Sequence, residues 1–335
     1  MGTRRVRGAM DGSDGVGRRE FLRKTAWSGA GLLVLTGRVR GAEAADPLPT
    51  RVLGRTKANV TILGLGTAPI GEGPVDTAEA ARIFGEAIDH GVTYIDTARI
   101  YGNAEEALGR ILPKRRDGLF VATKVWTDEG ARAEKLLSTS LRLLKTDHVD
   151  LCHIHNVGNK NLDKALGTGG VLEYLLKQKE AGKVRFIGVS GHCFPSRWLR
   201  VLATGQIDVA MPVMNYADRN TYNFEGKVLP ECRKQGLGVV AMKVYAGIKG
   251  GFRNHRKGSV GCATAPELLP QAMAYALDLE GVCVANVGPY TMAQALQNIE
   301  FARKYKPLSQ AERDKLLDLG EEMAPKLGAR YGSPA

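Results

Sequence analysis

From residue 51 onward, short apolar runs alternate with amphipathic stretches along the chain. Residues 51–62 read as a small hairpin, with Lys57-Ala58-Asn59 near its turn. Eight short strands follow, over 63–67, 93–96, 119–125, 149–154, 186–190, 209–214, 238–244 and 282–287. Between them, apolar positions at helical spacing predict helices over 77–90, 105–112, 131–144, 171–181, 195–203, 227–235 and 266–279. Gly91, Pro113 and Gly182 act as stops, and Pro195 sits where a first helical turn tolerates proline. Ser309-Gln310-Ala311-Glu312 has capping-box spacing and opens a terminal helix toward Lys326. The strands are continuous Val, Ile and Leu runs, which marks burial on both faces and a parallel sheet. Eight β-then-α units close most simply into a (β/α)8 barrel. The predicted fold is α/β, a TIM barrel with an N-terminal hairpin and a C-terminal helix.

Composition narrows this only slightly. The chain has 335 residues, 44% hydrophobic and 24% charged, which excludes wholesale disorder. No uninterrupted apolar run is long enough for a polytopic membrane protein. Of the net charge of +12, residues 1–45 carry +5 and the remainder +7. No concentrated basic stripe with stacking aromatics is present, so no nucleic-acid partner is expected. A phosphate-bearing small molecule accounts for a modest positive excess more simply. Five cysteines form neither a CxxC nor a metal-like cluster, and no metal site is expected.

The first 45 residues read as an address. Arg18-Arg19-Glu20-Phe21-Leu22-Arg23-Lys24 precedes a short, weakly apolar segment over 25–37, and Ala42-Glu43-Ala44 follows as an A-x-A cleavage site. This resembles a bacterial twin-arginine (Tat) signal peptide. It implies recognition by the Tat export machinery and a periplasmic destination for a domain covering 46–335.

Barrels of this kind react at the C-terminal rim of their strands, so polar residues there are the candidates for chemistry. The second barrel strand ends at Asp96, with Tyr101 in the loop beyond it. The third ends at Lys124, and the fourth at His155. A phenol is a poor acid near neutrality. A buried lysine near its hydroxyl favours the phenolate, and an aspartate can hold that lysine charged. Such a group can exchange a proton with an alcohol or carbonyl oxygen. Asp96 also fits a plain helix cap. His153, two residues before His155, reads as a hydrogen-bonded histidine of the barrel interior or as a pocket residue.

These motifs resemble the aldo-keto reductase superfamily over about residues 50–325. They are Val52-Leu53-Gly54-Arg55-Thr56, Leu63-Gly64-Leu65-Gly66-Thr67, Tyr94-Ile95-Asp96-Thr97-Ala98 with Tyr101-Gly102, Thr123-Lys124, Asp150-Leu151 through His155, and Ile187-Gly188-Val189-Ser190. The resemblance implies an NAD(P)H-dependent enzyme reducing aldehydes, ketones or quinones to alcohols by hydride transfer. Asp96, Tyr101, Lys124 and His155 would be its catalytic residues and Tyr101 the proton donor. Trp126 and His153 would border the substrate pocket. Gly66, Thr67, Ser190, Gly191, Met214, Gly288 and Asn298 match cofactor-binding positions. Met211 and Met214 replace a Gln and a ring-stacking Tyr of the family, and Tyr290 replaces its usual 2′-phosphate-binding base, so the choice between NADP and NAD stays open. The basic loop 247–258, with Lys249, Arg253, Arg256 and Lys257, reads either as a cover for a pyrophosphate or as a solvated loop. Two other functions compete. One is a metal-dependent hydrolase, suggested by His153-x-His155. The other is an exported barrel with degraded cofactor contacts, acting as a binding or accessory protein.

Overall fold

The structure, a computed structural model, describes residues 46–249 and 261–335. The twin-arginine leader and Arg253, Arg256 and Lys257 of the basic loop lie outside the described residues. Eight strands form the closed barrel: β3 Leu63–Gly66, β4 Tyr94–Asp96, β5 Phe120–Val125, β6 Val149–Ile154, β7 Val184–Gly191, β8 Val209–Pro212, β9 Gly238–Met242 and β10 Val282–Val287. All neighbouring pairs are parallel, and β10 closes against β3. The fold is the (β/α)8 barrel expected from the apolar runs.

The hairpin, β1 Thr50–Val52 and β2 Asn59–Thr61, seals the N-terminal end. Its turn lies earlier than the sequence suggests. Lys57 takes the left-handed conformation (φ 60°), and Asn59 already belongs to the second strand. A Cβ on Gly54 would lie 2.2 Å from the Gly238 backbone nitrogen, so the hairpin abuts β9 through bare backbone. Arg51 fixes the other side by donating to the carbonyls of Leu277 and Val282 at 2.7 and 2.8 Å.

Three of the expected helices are broken, each where a proline falls. Residues 105–112 become Ala104–Leu108 and then Leu112–Arg115, with Pro113 in the first turn of the second piece rather than ending the first. Pro230 restarts the helix at Leu229–Lys234 after Phe224–Lys227. Pro270 does the same at Leu269–Asp278, after a short 3-10 turn. Proline lacks an N–H and suits a helix opening, so the continuous apolar periodicity hides a new start. Helices Leu162–Leu166 and Met292–Arg303 were not foreseen. The terminal helix Gln310–Leu327 carries the expected capping box, Ser309 and Glu312 each satisfying the other's backbone N–H.

Side chains on a strand alternate faces, and this places the chemistry. Inside the barrel, Tyr94, Phe120 and Phe186 stack across β4, β5 and β7 with centroids 5.5 and 6.1 Å apart. Two residues further along from Tyr94 comes Asp96, and four further from Phe120 comes Lys124. Polar groups therefore succeed an aromatic layer as the inner wall approaches the rim.

Candidate active site

The four sequence-predicted catalytic residues converge at that rim. Lys124 is level with His153 of β6 in the strand register, and Asp96 is level with Ala122. The Lys124 Nζ donates to Asp96 Oδ2 at 2.7 Å and to the Thr97 carbonyl at 2.8 Å. Both side chains are sealed, 0% and 3% exposed. The same ammonium lies 4.6 Å from the Tyr101 ring centroid, and the Tyr101 and His155 rings meet edge-to-face at 5.9 Å. Asp96 is thus an ion-pair partner inside the barrel wall, not a helix cap.

Tyr101 owes its position to backbone packing. Its loop lies on helix Ala68–Glu72 so closely that a Cβ on Gly71 would sit 2.4 Å from the Tyr101 carbonyl. Gly102, at φ +49°, faces the Gly71 carbonyl from the other side, where a Cβ would come within 2.0 Å. Thr67 supports the neighbouring group: both its N–H and its hydroxyl donate to the Asp96 carbonyl at 3.0 Å.

Burial governs the electrostatics. It lifts Asp96 above the usual carboxylate range and lowers Lys124, while their mutual attraction opposes both shifts. Tyr101 is pushed well above the ordinary phenol value, by burial first and then by the Asp96 and Glu72 charges. Burial and these charges oppose the phenolate that the lysine favours, and hold the resting tyrosine as a phenol; the hydrogen bonds of the ammonium go to Asp96 and Thr97. Burial, then the Lys124 charge, pushes His155 well below the usual imidazole value and keeps it neutral.

These groups border a cavity of about 710 Å3, lined by Asp96, Tyr101, Trp126 and His155. That volume is of the size expected for a small-molecule site. Trp126, 39% exposed, stands 5.0 Å from the His155 ring. Gly66 and Gly288 lie on the wall as bare backbone; a Cβ on Gly66 would reach within 3.2 Å of the Gly288 nitrogen.

The other expected site residues are placed differently. His153 does not border the cavity. Its ring packs over Gly188, where a Cβ would come within 2.4 Å, and only a loosely aligned contact with the Val189 backbone reaches it. Met214 is buried in the apolar core beyond β8, because the strand ends at Pro212 and the Met214 N–H turns to the Met242 carbonyl. Met211 and Met242 supply the thioethers at the wall instead. Asn298 is also off the cavity, accepting a hydrogen bond from the Tyr245 hydroxyl at 2.8 Å. Ser190 and Gly191 stay behind the wall: the Ser190 hydroxyl accepts from the Asn156 N–H at 3.4 Å, and Gly191 faces the Trp198 indole.

Sequence reasoning missed Lys243, Arg330 and Tyr331 as cavity residues. Lys243 directly follows β9 in the left-handed conformation (φ 58°), and burial brings it to about 8. Arg330 comes from the segment after the terminal helix. It reaches the rim by pairing with Asp218 at 2.8 Å and donating to the Ala246 carbonyl at 2.9 Å. A lysine closing an apolar strand is a readable signal; a residue in an irregular tail is not.

The aldo/keto reductase family model matches residues 62–299, across the barrel that carries these groups. The chain belongs to the aldo/keto reductase family. Among similar proteins, L-galactose dehydrogenase of Arabidopsis thaliana is 30% identical over 211 residues, covering 58% of this chain and 65% of that protein. A methylglyoxal reductase of Escherichia coli is 30% identical over 189 residues, 55% of this chain and 64% of its own. The chain thus spans just under two thirds of the length of these curated relatives. Two solved structures match more completely. An aldo-keto reductase from Bacillus halodurans, in its holo form, has a TM-score of 0.65 at 25% identity and covers 81% of this chain and 96% of its own. One from Klebsiella pneumoniae in complex with NADPH has a TM-score of 0.64 at 25% identity, covering 81% and 95%. Among the described residues, no group of three or more His, Cys, Asp or Glu side chains is arranged to hold a metal ion, so His153-x-His155 has no ligand partners there.

Proposed function

We propose that this chain is an NAD(P)H-dependent carbonyl reductase in which Tyr101 is the proton donor. The supporting observation is the buried Lys124–Asp96 pair held against the face of the Tyr101 ring, with His155 at its edge. The cavity also fits the nucleotide. Among the described residues, Asn286 Oδ1, Asn156 Oδ1 and Tyr290 Oη are buried at its wall without hydrogen-bond partners, and the Arg330 guanidinium lies at the same wall. Amide, hydroxyl and guanidinium groups of this kind match the amide, ribose and phosphate groups of a nicotinamide dinucleotide. Lys243 and Arg330 bring positive charge to the cavity at which Tyr290 replaces the family's usual base. Either NADP or NAD is compatible with that charge.

The reduced nicotinamide supplies the hydride when bound. The chain's own residues handle the oxygen. Tyr101, kept as a phenol, gives its proton to the carbonyl oxygen as carbon gains the hydride, and the product is the alcohol. The Lys124 ammonium beside the ring stabilises the phenolate left behind. Asp96 holds that ammonium charged and in place. Neutral His155 positions the oxygen without competing as a charged acid. Aldehydes, ketones and quinones of small size suit the cavity. We further propose that the 1–45 leader delivers the domain through the Tat machinery to the periplasm of a bacterium.

Replacing Tyr101 by Phe tests the reading. Reduction of a generic aldehyde falls by about 10²–10⁴-fold, while NADPH or NADH quenching of protein fluorescence keeps its affinity. Equal loss of both would make Tyr101 structural. Fluorescence indifferent to both nucleotides would favour the binding-protein alternative. Arg18-Arg19→Lys-Lys retains the precursor in the cytoplasm if the leader reading holds; continued export refutes it.

A further inference from the structure

A second depression opens on the same rim, between the loop after β6 and the start of helix Pro195–Leu202, with a volume of about 830 Å3. Asn159, Lys160, Asn161, Ser196, Arg197 and Arg200 line it. Lys160 is only 6% exposed, yet its ammonium has neither a carboxylate nor a hydrogen-bond acceptor as partner among the described residues. The Trp126 indole lies 5.0 Å from ammonium to ring centroid, and Trp126 also borders the reductase cavity. The stem of Lys160 is enclosed while its ammonium keeps contact with solvent, and a lone cation–π contact leaves its hydrogen-bond donors to be met from the groove.

The rest of the groove is built to the same sign. Arg197 donates through one nitrogen to the Lys160 carbonyl, while its Nε is buried with no partner. Arg200 is held by Asp163, and the Ser196 hydroxyl donates to the Ala335 carbonyl at 3.0 Å. Asp163 is the acidic residue at the lining, against Lys160, Arg197 and Arg200. Asp128 and Arg132 act on Lys160 from farther off, with opposite signs.

We propose that this groove is an oxyanion site, in which Lys160 and Arg197 hold a carboxylate or phosphate beside the reductase cavity. The anion supplies the counter-charge that the fold withholds from Lys160, and Trp126 is the wall shared by the two compartments. The site itself does not depend on the catalytic reading. Only the identification of the anion as the tail of a carbonyl substrate rests on it.

Thermal unfolding with inorganic phosphate tests the site on the whole protein. Phosphate raises the Tm of the native chain, because it binds the folded state alone. Lys160→Met loses that rise, and without phosphate its Tm stays close to that of the native chain. Lys160→Arg restores the phosphate effect. Calorimetric titration gives the same order, with affinity weakened about tenfold or more in Lys160→Met. Binding also weakens from pH 7 to pH 9, as burial brings Lys160 to about 8. An equal phosphate effect in native and Lys160→Met proteins overturns the proposal.

Kinetics with 4-oxobutanoate and butanal identify the source. A KM raised about tenfold for 4-oxobutanoate alone in Lys160→Met assigns the site to a substrate's own anionic end. Unchanged KM values with phosphate binding lost assign it to a free anion. A chain without reductase activity still returns the phosphate result, so failure of the catalytic reading and failure of the site are separable.

Discussion

Lys124→Met keeps most of the side-chain volume and removes the charge. The native ammonium donates to Asp96 Oδ2 at 2.7 Å and to the Thr97 carbonyl at 2.8 Å, in a place closed to water. Asp96 Oδ1 has only a loose contact with the Asn286 amide in reserve. The variant therefore leaves a carboxylate buried without its counter-ion, which costs about 3–5 kcal/mol. At ~1.5 °C per kcal/mol for a chain of this size, Tm falls by about 5 °C. The loss depends on pH. Burial already raises Asp96 above its ordinary value, and Lys124 is the largest influence pulling it down, so the variant raises it further. A carboxyl whose folded value exceeds its unfolded value contributes stability at low pH and loses it as pH rises through the folded value. The penalty is thus smallest near pH 4 and grows toward neutrality. Adding Asp96→Asn removes the stranded charge and recovers most of the loss. Circular dichroism melts of the native chain, both single variants and the double variant, at three pH values, form the test. Additive losses, or a penalty independent of pH, would refute a coupled buried ion pair.

Three further outcomes follow from the same physics. Burial holds His153, His155 and His192 well below the imidazole value of 6.5, so the unfolded chain takes up protons that the native chain refuses. Stability therefore falls as pH drops below that value, and His153→Gln reduces the slope of unfolding free energy against pH by one proton, about 1.4 kcal/mol per pH unit. Gly71→Val touches no catalytic group but drives a side chain toward the Tyr101 carbonyl, so kcat drops about tenfold or more while Asp96 and Lys124 stay paired, measurable by steady-state assay. Ser309→Ala removes the terminal helix cap and costs about 0.5–2 kcal/mol in urea unfolding, with activity unchanged.

The strands were legible because a parallel barrel buries both faces of each one, leaving runs such as 149–154 that hardly admit another reading. The Lys124–Asp96 pair was legible for a related reason: Lys124 at the end of a run as apolar as 119–125 demands a buried partner, and Asp96 ends the adjacent strand. Helix continuity was not legible, because Pro113, Pro230 and Pro270 sit in first turns within stretches whose apolar spacing carries straight across them. Met214 was misplaced because Pro212 ends the strand before the alternation reaches it. The contribution of Arg330 depends on where a tail lands, and no local pattern near residue 330 encodes Asp218 or Ala246 as its partners.

The distribution of buried polar groups separates the ends of the barrel. At the N-terminal end, Asp150 accepts from Arg116 at 2.7 Å, Arg185 at 2.5 Å and the Val121 N–H at 2.8 Å. Asp208 accepts from Arg55, Lys179 and the Ile187 N–H at 3.2, 2.7 and 2.9 Å. These carboxylates are enclosed by donors and bind strands together. At the other end, His155 Nδ1, Asn156 Oδ1, Asn286 Oδ1 and Tyr290 Oη are buried with no hydrogen-bond partner among the described residues. Each such atom costs about 1–3 kcal/mol when left unmet, and all four belong to residues that line one cavity. A fold that satisfies its carboxylates at one end has the means to do so at the other. The unmet groups at the rim are therefore accounted for by a polar ligand that completes them, and the same reasoning reads the unpaired Lys160 as half of a second contact.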